Sequence, residues 1–93
     1  MKLTSWIIKD YSEAIVYKRY SENGIVIIRI SEDKLADKDR YYVDIRKKAT
    51  LRGFNSWKEI GSFDELFEAV FNADLVAHEN GYTLDKPFRS ISH

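Results

Sequence analysis

Two runs rich in β-branched and aromatic residues, Glu13 to Tyr20 (EAIVYKRY) and Gly24 to Ser31 (GIVIIRIS), flank the tetrapeptide Ser21-Glu22-Asn23-Gly24. No other feature restricts the fold as much. Asn-Gly supplies the positive-φ positions of a type I′ turn, so the segment is predicted to be a β-hairpin. Ile25, Val26, Ile27, Ile28 and Ile30 put apolar groups on both faces of the second strand, which predicts that it lies inside a sheet.

Further along, Arg40 to Lys48 alternates. Tyr41, Val43 and Ile45 fall on one face, and Tyr42, Asp44, Arg46 and Lys48 on the other, the period of a half-buried strand whose wet side is basic. Trp57 to Gly61 is read as a fourth strand and Leu3 to Ile8 as an added edge strand. Glu32 to Asp39 reads as a polar loop. From Phe63 the period changes: Phe63, Leu66, Phe67, Val70, Ala73 and Ala77 recur at helical spacing, with Ser62 or Asp64 as the N-cap and Asn80-Gly81 as the C-cap. Two residues disturb that stripe. Asp74 projects into it, while Leu75 and Val76 project away, so either the helix breaks near Asn72 or its outer face meets something. The reading is an α+β fold: an antiparallel sheet of four to five strands with one long C-terminal helix packed on one face.

Length agrees with one domain, residues 1–93, in which 82–93, containing the single proline Pro87, form an extended, partly ordered tail. The absence of cysteine removes disulfides, thiolate metal sites and a cysteine nucleophile. The apolar start is interrupted at Lys9 and Asp10, and no run approaches the roughly 20 apolar residues of a membrane span, so the expectation is a cytoplasmic protein with no membrane partner.

Net charge is zero, yet the charges are segregated along the chain. Residues 40–58 carry a net +5, from Arg40, Arg46, Lys47, Lys48, Arg52 and Lys58 against Asp44, whereas residues 59–85 carry −7 and contain no Lys or Arg. Such asymmetry bears on partners rather than on fold.

Motifs for catalysis are missing: there is no P-loop, dinucleotide fingerprint, zinc-protease helix, nucleophile elbow or EF-hand loop. Asp74 and His78, four apart on a helix, could form an oriented pair, but no third partner completes it, and a local ion pair is the simpler reading. Asp44 beside Arg46 and Lys47 could suggest a metal-dependent nuclease, but an alternating strand places an acid there without any such role. The expectation is therefore no enzyme, no catalytic residue, no metal and no cofactor.

Two binding readings remain. In the first, Asp64, Glu65, Glu68, Glu79 and Asp85 form an acidic surface around the helix, able to occupy a basic groove built for nucleic acid. In general kind this resembles small phage and mobile-element inhibitors such as anti-CRISPR proteins, which implies a nucleic-acid mimic whose partner is a basic protein such as a nuclease, with a homodimer also open. In the second, Tyr42, Arg46, Lys48 and Arg52 form a basic, aromatic sheet face that binds nucleic acid directly. Residues 60–70 (IGSFDELFEAV) resemble the strand-to-helix junction of AP2-type and integrase arm-binding DNA-binding domains, a likeness that implies a sheet face carrying Tyr42, Arg46 and Lys48 toward DNA. The inhibitor reading ranks first.

Overall fold

A computed structural model describes residues 2–50, 53–54 and 56–84, with the backbone alone at 49–50, 53–54 and 83–84. In chain order the elements are β1 (Lys2–Leu3), β2 (Ile7–Asp10), β3 (Ala14–Tyr20), β4 (Val26–Asp33), β5 (Tyr41–Thr50), β6 (Gly53–Phe54), β7 (Lys58–Phe63), α1 (Leu66–Glu79) and β8 (Thr83–Leu84). The antiparallel sheet runs β2-β3-β4-β5, with β7 beside the first half of β5 and the two-residue β6 beside its far end. The helix packs on one face, as expected for this α+β arrangement, and lies against β4, β5, β7 and β8. The central position of β4 follows from its composition, since apolar groups on both of its faces are covered only when it has neighbours on both edges.

The hairpin is present, but its turn is not type I′. Pairing ends at Tyr20 and Ile27, and Ser21 donates its backbone N–H to Val26 O at 2.9 Å, leaving a four-residue loop, Glu22 to Ile25. Gly24 has φ 72°, but Asn23 does not share the positive φ that type I′ demands at both centres. Side chains have widened the turn. Asn23 Oδ1 accepts from the Ser21 hydroxyl at 2.6 Å and from the Ile25 N–H at 3.0 Å, an Asx-type arrangement that stabilises the longer loop.

Inward residues alternate along the strands. Val26, Ile28 and Ile30 of β4, Val43 and Ile45 of β5 and Tyr17 of β3 form the core with Leu3 and, from the helix, Ala69, Val70, Ala73 and Ala77. Three alanines at four-residue spacing let the helix backbone approach the bulky β-branched sheet residues closely. Helix α1 is continuous, so the break considered near Asn72 does not occur; the Asn72 amide instead donates to Glu68 O at 2.8 Å within the helix. At its C-terminus Gly81 adopts φ 81° and donates to His78 O at 3.0 Å, while Tyr82 donates to Ala77 O at 2.9 Å. Those two bonds form a Schellman cap, which satisfies the last carbonyls. Neither expected N-cap acts: Glu65 occupies the position without a side-chain bond, Ser62 lies in β7, and Asp64 accepts from the Asp39 N–H at 2.7 Å, tying the loop after β4 to the helix start.

Beyond the cap, β8 pairs in parallel with β1, Lys2 opposite Thr83 and Leu3 opposite Leu84. The edge strand expected over Leu3 to Ile8 therefore divides in two, with only β2 joining the main sheet. Of the tail expected over 82–93, Thr83–Leu84 form β8, and residues 85–93 lie outside the described residues.

Candidate functional site

Among the described residues two faces are left uncovered, and each carries a different chemistry. On the helix, the side turned from the sheet has Phe67, Phe71 and Leu75 at i, i+4 and i+8, exposed by 60%, 56% and 42%. This corrects the sequence reading, which placed Phe67 in the core and Val76 outside it; Val76 is partly buried against the core. The exchange of these two residues has a physical cause. Asp74 does lie near the inner side, where Arg19 from β3 meets it at 3.2 Å, so the helix is rotated to keep that pair together and to put alanines, rather than phenylalanines, against the strands.

Arg19 is only 1% exposed. Its Nε donates to Thr4 O at 2.8 Å and its guanidinium lies 5.2 Å from the centre of the Trp6 ring. Burial raises the Asp74 carboxyl above the ordinary carboxylate range, and the attraction and hydrogen bond of Arg19 oppose that rise without cancelling it. The Asp74–His78 pair considered from the sequence gives way to this arrangement, since Asp74 turns inward and His78 is exposed in the last helical turn.

The carboxylates expected as one acidic surface are distributed unevenly. Glu65 and Glu79 are exposed at opposite ends of α1, Glu68 is half-buried, and Asp64 is exposed but holds Asp39. Asp85 lies outside the described residues. The acids thus flank the Phe67–Phe71–Leu75 stripe instead of forming an unbroken row. Helix α1 contains no Lys or Arg.

The opposite, open face of the sheet presents Ile7 and Lys9 from β2, Val16, Lys18 and Tyr20 from β3, Ile27, Arg29 and Ser31 from β4, and Tyr42, Asp44, Arg46 and Lys48 from β5, as strand alternation and register dictate. The sequence reading brought Tyr42, Arg46 and Lys48 together here, and they do share this face; Arg52 lies outside the described residues. Its charges are partly paired. Arg29 donates to both oxygens of Asp44, at 2.9 and 2.5 Å, and stacks 3.9 Å from the Trp57 ring centre, with the Arg46 guanidinium 5.6 Å from the same ring. Asp44 is thereby committed to an arginine, and among the described residues no cluster of three His, Asp or Glu side chains could hold a metal. Sequence reasoning missed Lys9, Lys18 and Arg29 as members of this face, because they come from three strands that only the register aligns.

A third polar cluster lies at the sheet end near the helix start. Buried Glu32 accepts from the Tyr17 hydroxyl at 3.3 Å and pairs with Arg40 at 3.1 Å. Burial and the neighbouring Glu32 charge push the Tyr17 phenol well above its ordinary value, and burial also raises Tyr41. Glu32 is thereby committed to Tyr17 and Arg40, a cluster that ties β3, β4 and the start of β5 together.

Among the described residues no helix is long and apolar enough to cross a membrane. No family model, curated protein or solved structure matches the chain.

Proposed function

We propose that the protein is a non-catalytic interaction module of inhibitor type that docks the outer face of α1 on a partner whose surface is basic around an apolar groove. The observation carrying this reading is the Phe67–Phe71–Leu75 stripe. An exposed leucine alone would be ordinary, but two phenylalanines and a leucine in contiguous turns form the anchor pattern by which amphipathic helices enter grooves. Glu65, Glu68 and Glu79 around that stripe, on a helix without cations, select a partner bearing Lys or Arg at the groove rim, as in proteins that handle nucleic acid. The reading differs from a pure nucleic-acid mimic: the aromatic anchors supply affinity, and the carboxylates supply orientation and rate.

The test is affinity capture from the native host with three immobilised forms: wild type, Phe71→Lys, and Glu65→Lys with Glu68→Lys. A protein retained by wild type and lost from both helix variants is the expected result. Should both helix variants retain it while Arg46→Glu with Lys48→Glu loses it, the active surface is the sheet and the proposal is wrong.

A further inference from the structure

The two uncovered faces complement each other in both polarity and charge. The open sheet face is apolar as well as basic: Ile7 and Tyr42 are 51% and 39% exposed, and a shallow depression of ≈80 Å³ there is lined by Ile7, Lys9, Tyr11, Val16, Lys18 and Tyr20. Its walls are aliphatic and aromatic, and its cations are Lys9 and Lys18. The chemistry that fits is an apolar knob with a carboxylate beside it. Helix α1 carries that group: Phe67 and Phe71 project outward, and Glu68 lies one residue from the first and three from the second.

Dimensions agree. The 14 residues of α1 span about 21 Å at 1.5 Å per residue. Five strands at roughly 4.8 Å spacing span about 24 Å. A helix can therefore lie across the uncovered sheet as the third layer of an α/β/α stack, an arrangement that buries an open sheet on both sides.

We infer that the protein self-associates head to tail, the outer face of α1 in one molecule covering the open sheet face of the next, with Phe71 seated between Ile7, Val16 and Tyr20 and Glu68 beside Lys9 and Lys18. This rests on the reading of α1 as a docking surface and names a second copy as one occupant of it. Pairing two helices about a twofold axis is disfavoured, because neither helix has a Lys or Arg to meet the other's Glu68 and Glu79. A heterologous contact leaves one free helix face and one free sheet face at the ends of every assembly, so growth continues past the dimer unless a ring closes. One helix face is a small interface, of the class below about 1,200 Å² in which contacts are weak and transient, so assembly should appear only as concentration rises.

Complementary variants test this. Phe71→Lys spoils the helix side and leaves the sheet intact; Lys9→Glu with Lys18→Glu spoils the sheet side and leaves the helix intact. Phe71 and Lys9 are exposed and Lys18 is partly exposed, and circular dichroism with a melting curve verifies folding. By sedimentation velocity, wild type should form species beyond the monomer that grow with concentration and shrink in high salt, while each variant alone stays monomeric. An equimolar mixture of the two should then give a dimer and nothing larger, because only one productive contact remains per pair. A mixture that stays monomeric while wild type assembles overturns the head-to-tail geometry, as does a wild type that is monomeric at every concentration reached. A labelled oligonucleotide shifted by a monomeric wild type but not by the sheet variant would give the open face to nucleic acid instead. If wild type is monomeric yet Phe71→Lys still loses the captured host protein, self-association alone fails; if Phe71→Lys alters neither, the docking role of α1 fails with it.

Discussion

Each face of the sheet carries one Arg–Asp pair with its arginine against a tryptophan, and the two pairs are not equivalent. Arg19–Asp74, beside Trp6, lies between sheet and helix with the guanidinium fully buried. Arg29–Asp44, against Trp57, lies on the open face, its side chains 27% and 16% exposed. The chemistry is shared, but the surroundings determine its consequence. Under the helix, removing Asp74 strands the Arg19 charge where water scarcely reaches; on the open face, water and neighbouring groups reach Arg29 and absorb the loss of Asp44. The buried pair therefore fixes where the helix sits, and the exposed pair shapes a surface.

The sharpest way to break this comparison is Asp74→Ala. Leaving Arg19 buried without its counter-ion should cost about 3–5 kcal/mol, measured by urea unfolding; a loss below about 1 kcal/mol would mean that Arg19 reaches water. Next comes Ala73→Leu, which forces a larger side chain between helix and strands and should destabilise by about 1–3 kcal/mol. A third test concerns Tyr17, whose phenol is held neutral in the folded state. A phenol raised in the fold contributes stability that is fully present below the unfolded value of about 10 and is lost as pH rises through the folded value. Wild type should therefore lose stability above about pH 10, and Tyr17→Phe should flatten that limb while costing about 1 kcal/mol at neutrality through the lost hydrogen bond. On the open face, Asp44→Ala should cost no more than about 1 kcal/mol after solvent screening. Smallest of all, Phe71→Lys should change stability by about 0.5 kcal/mol or less in the melt, while abolishing capture of the partner. If it instead destabilises as Asp74→Ala does, the helix is rotated from the orientation described.

Sheet and helix were legible in the sequence because alternation along 41–48 and the β-branched runs on either side of Asn23-Gly24 are local signals. The helix phase was legible in the main, since Val70, Ala73 and Ala77 of the expected stripe are buried, but Phe67 was placed on the wrong side. Residues 66–79 contain two apolar stripes, Phe67–Phe71–Leu75 and Ala69–Val70–Ala73–Ala77, and hydrophobicity alone draws Phe67 from the first into the second. Two features could have decided the matter: small residues mark the side that can approach a sheet, and Asp74 on that side asks for a buried cation. The cation is Arg19, 55 positions earlier, in a strand where nothing local distinguishes it from Lys18. The open face was legible only for the part contributed by β5, since cross-strand neighbours depend on a register that hydrophobic pattern fixes only after pairing. The turn was misread because the Ser21 and Asn23 side chains reward a longer loop.

The small parallel pair of β1 and β8 has a consequence in time. Lys2 O accepts from the Glu22 N–H at 3.1 Å and buried Leu3 bridges Ser21, but their strand partners Thr83 and Leu84 lie 81 positions later. At about 5–20 residues per second, a growing chain spends several seconds with β1 made and β8 not yet synthesised. The hairpin and central strands can pair during that interval, but closing a loop of this length comes last, so this clasp should be the step that converts a loosely collapsed chain into the finished domain.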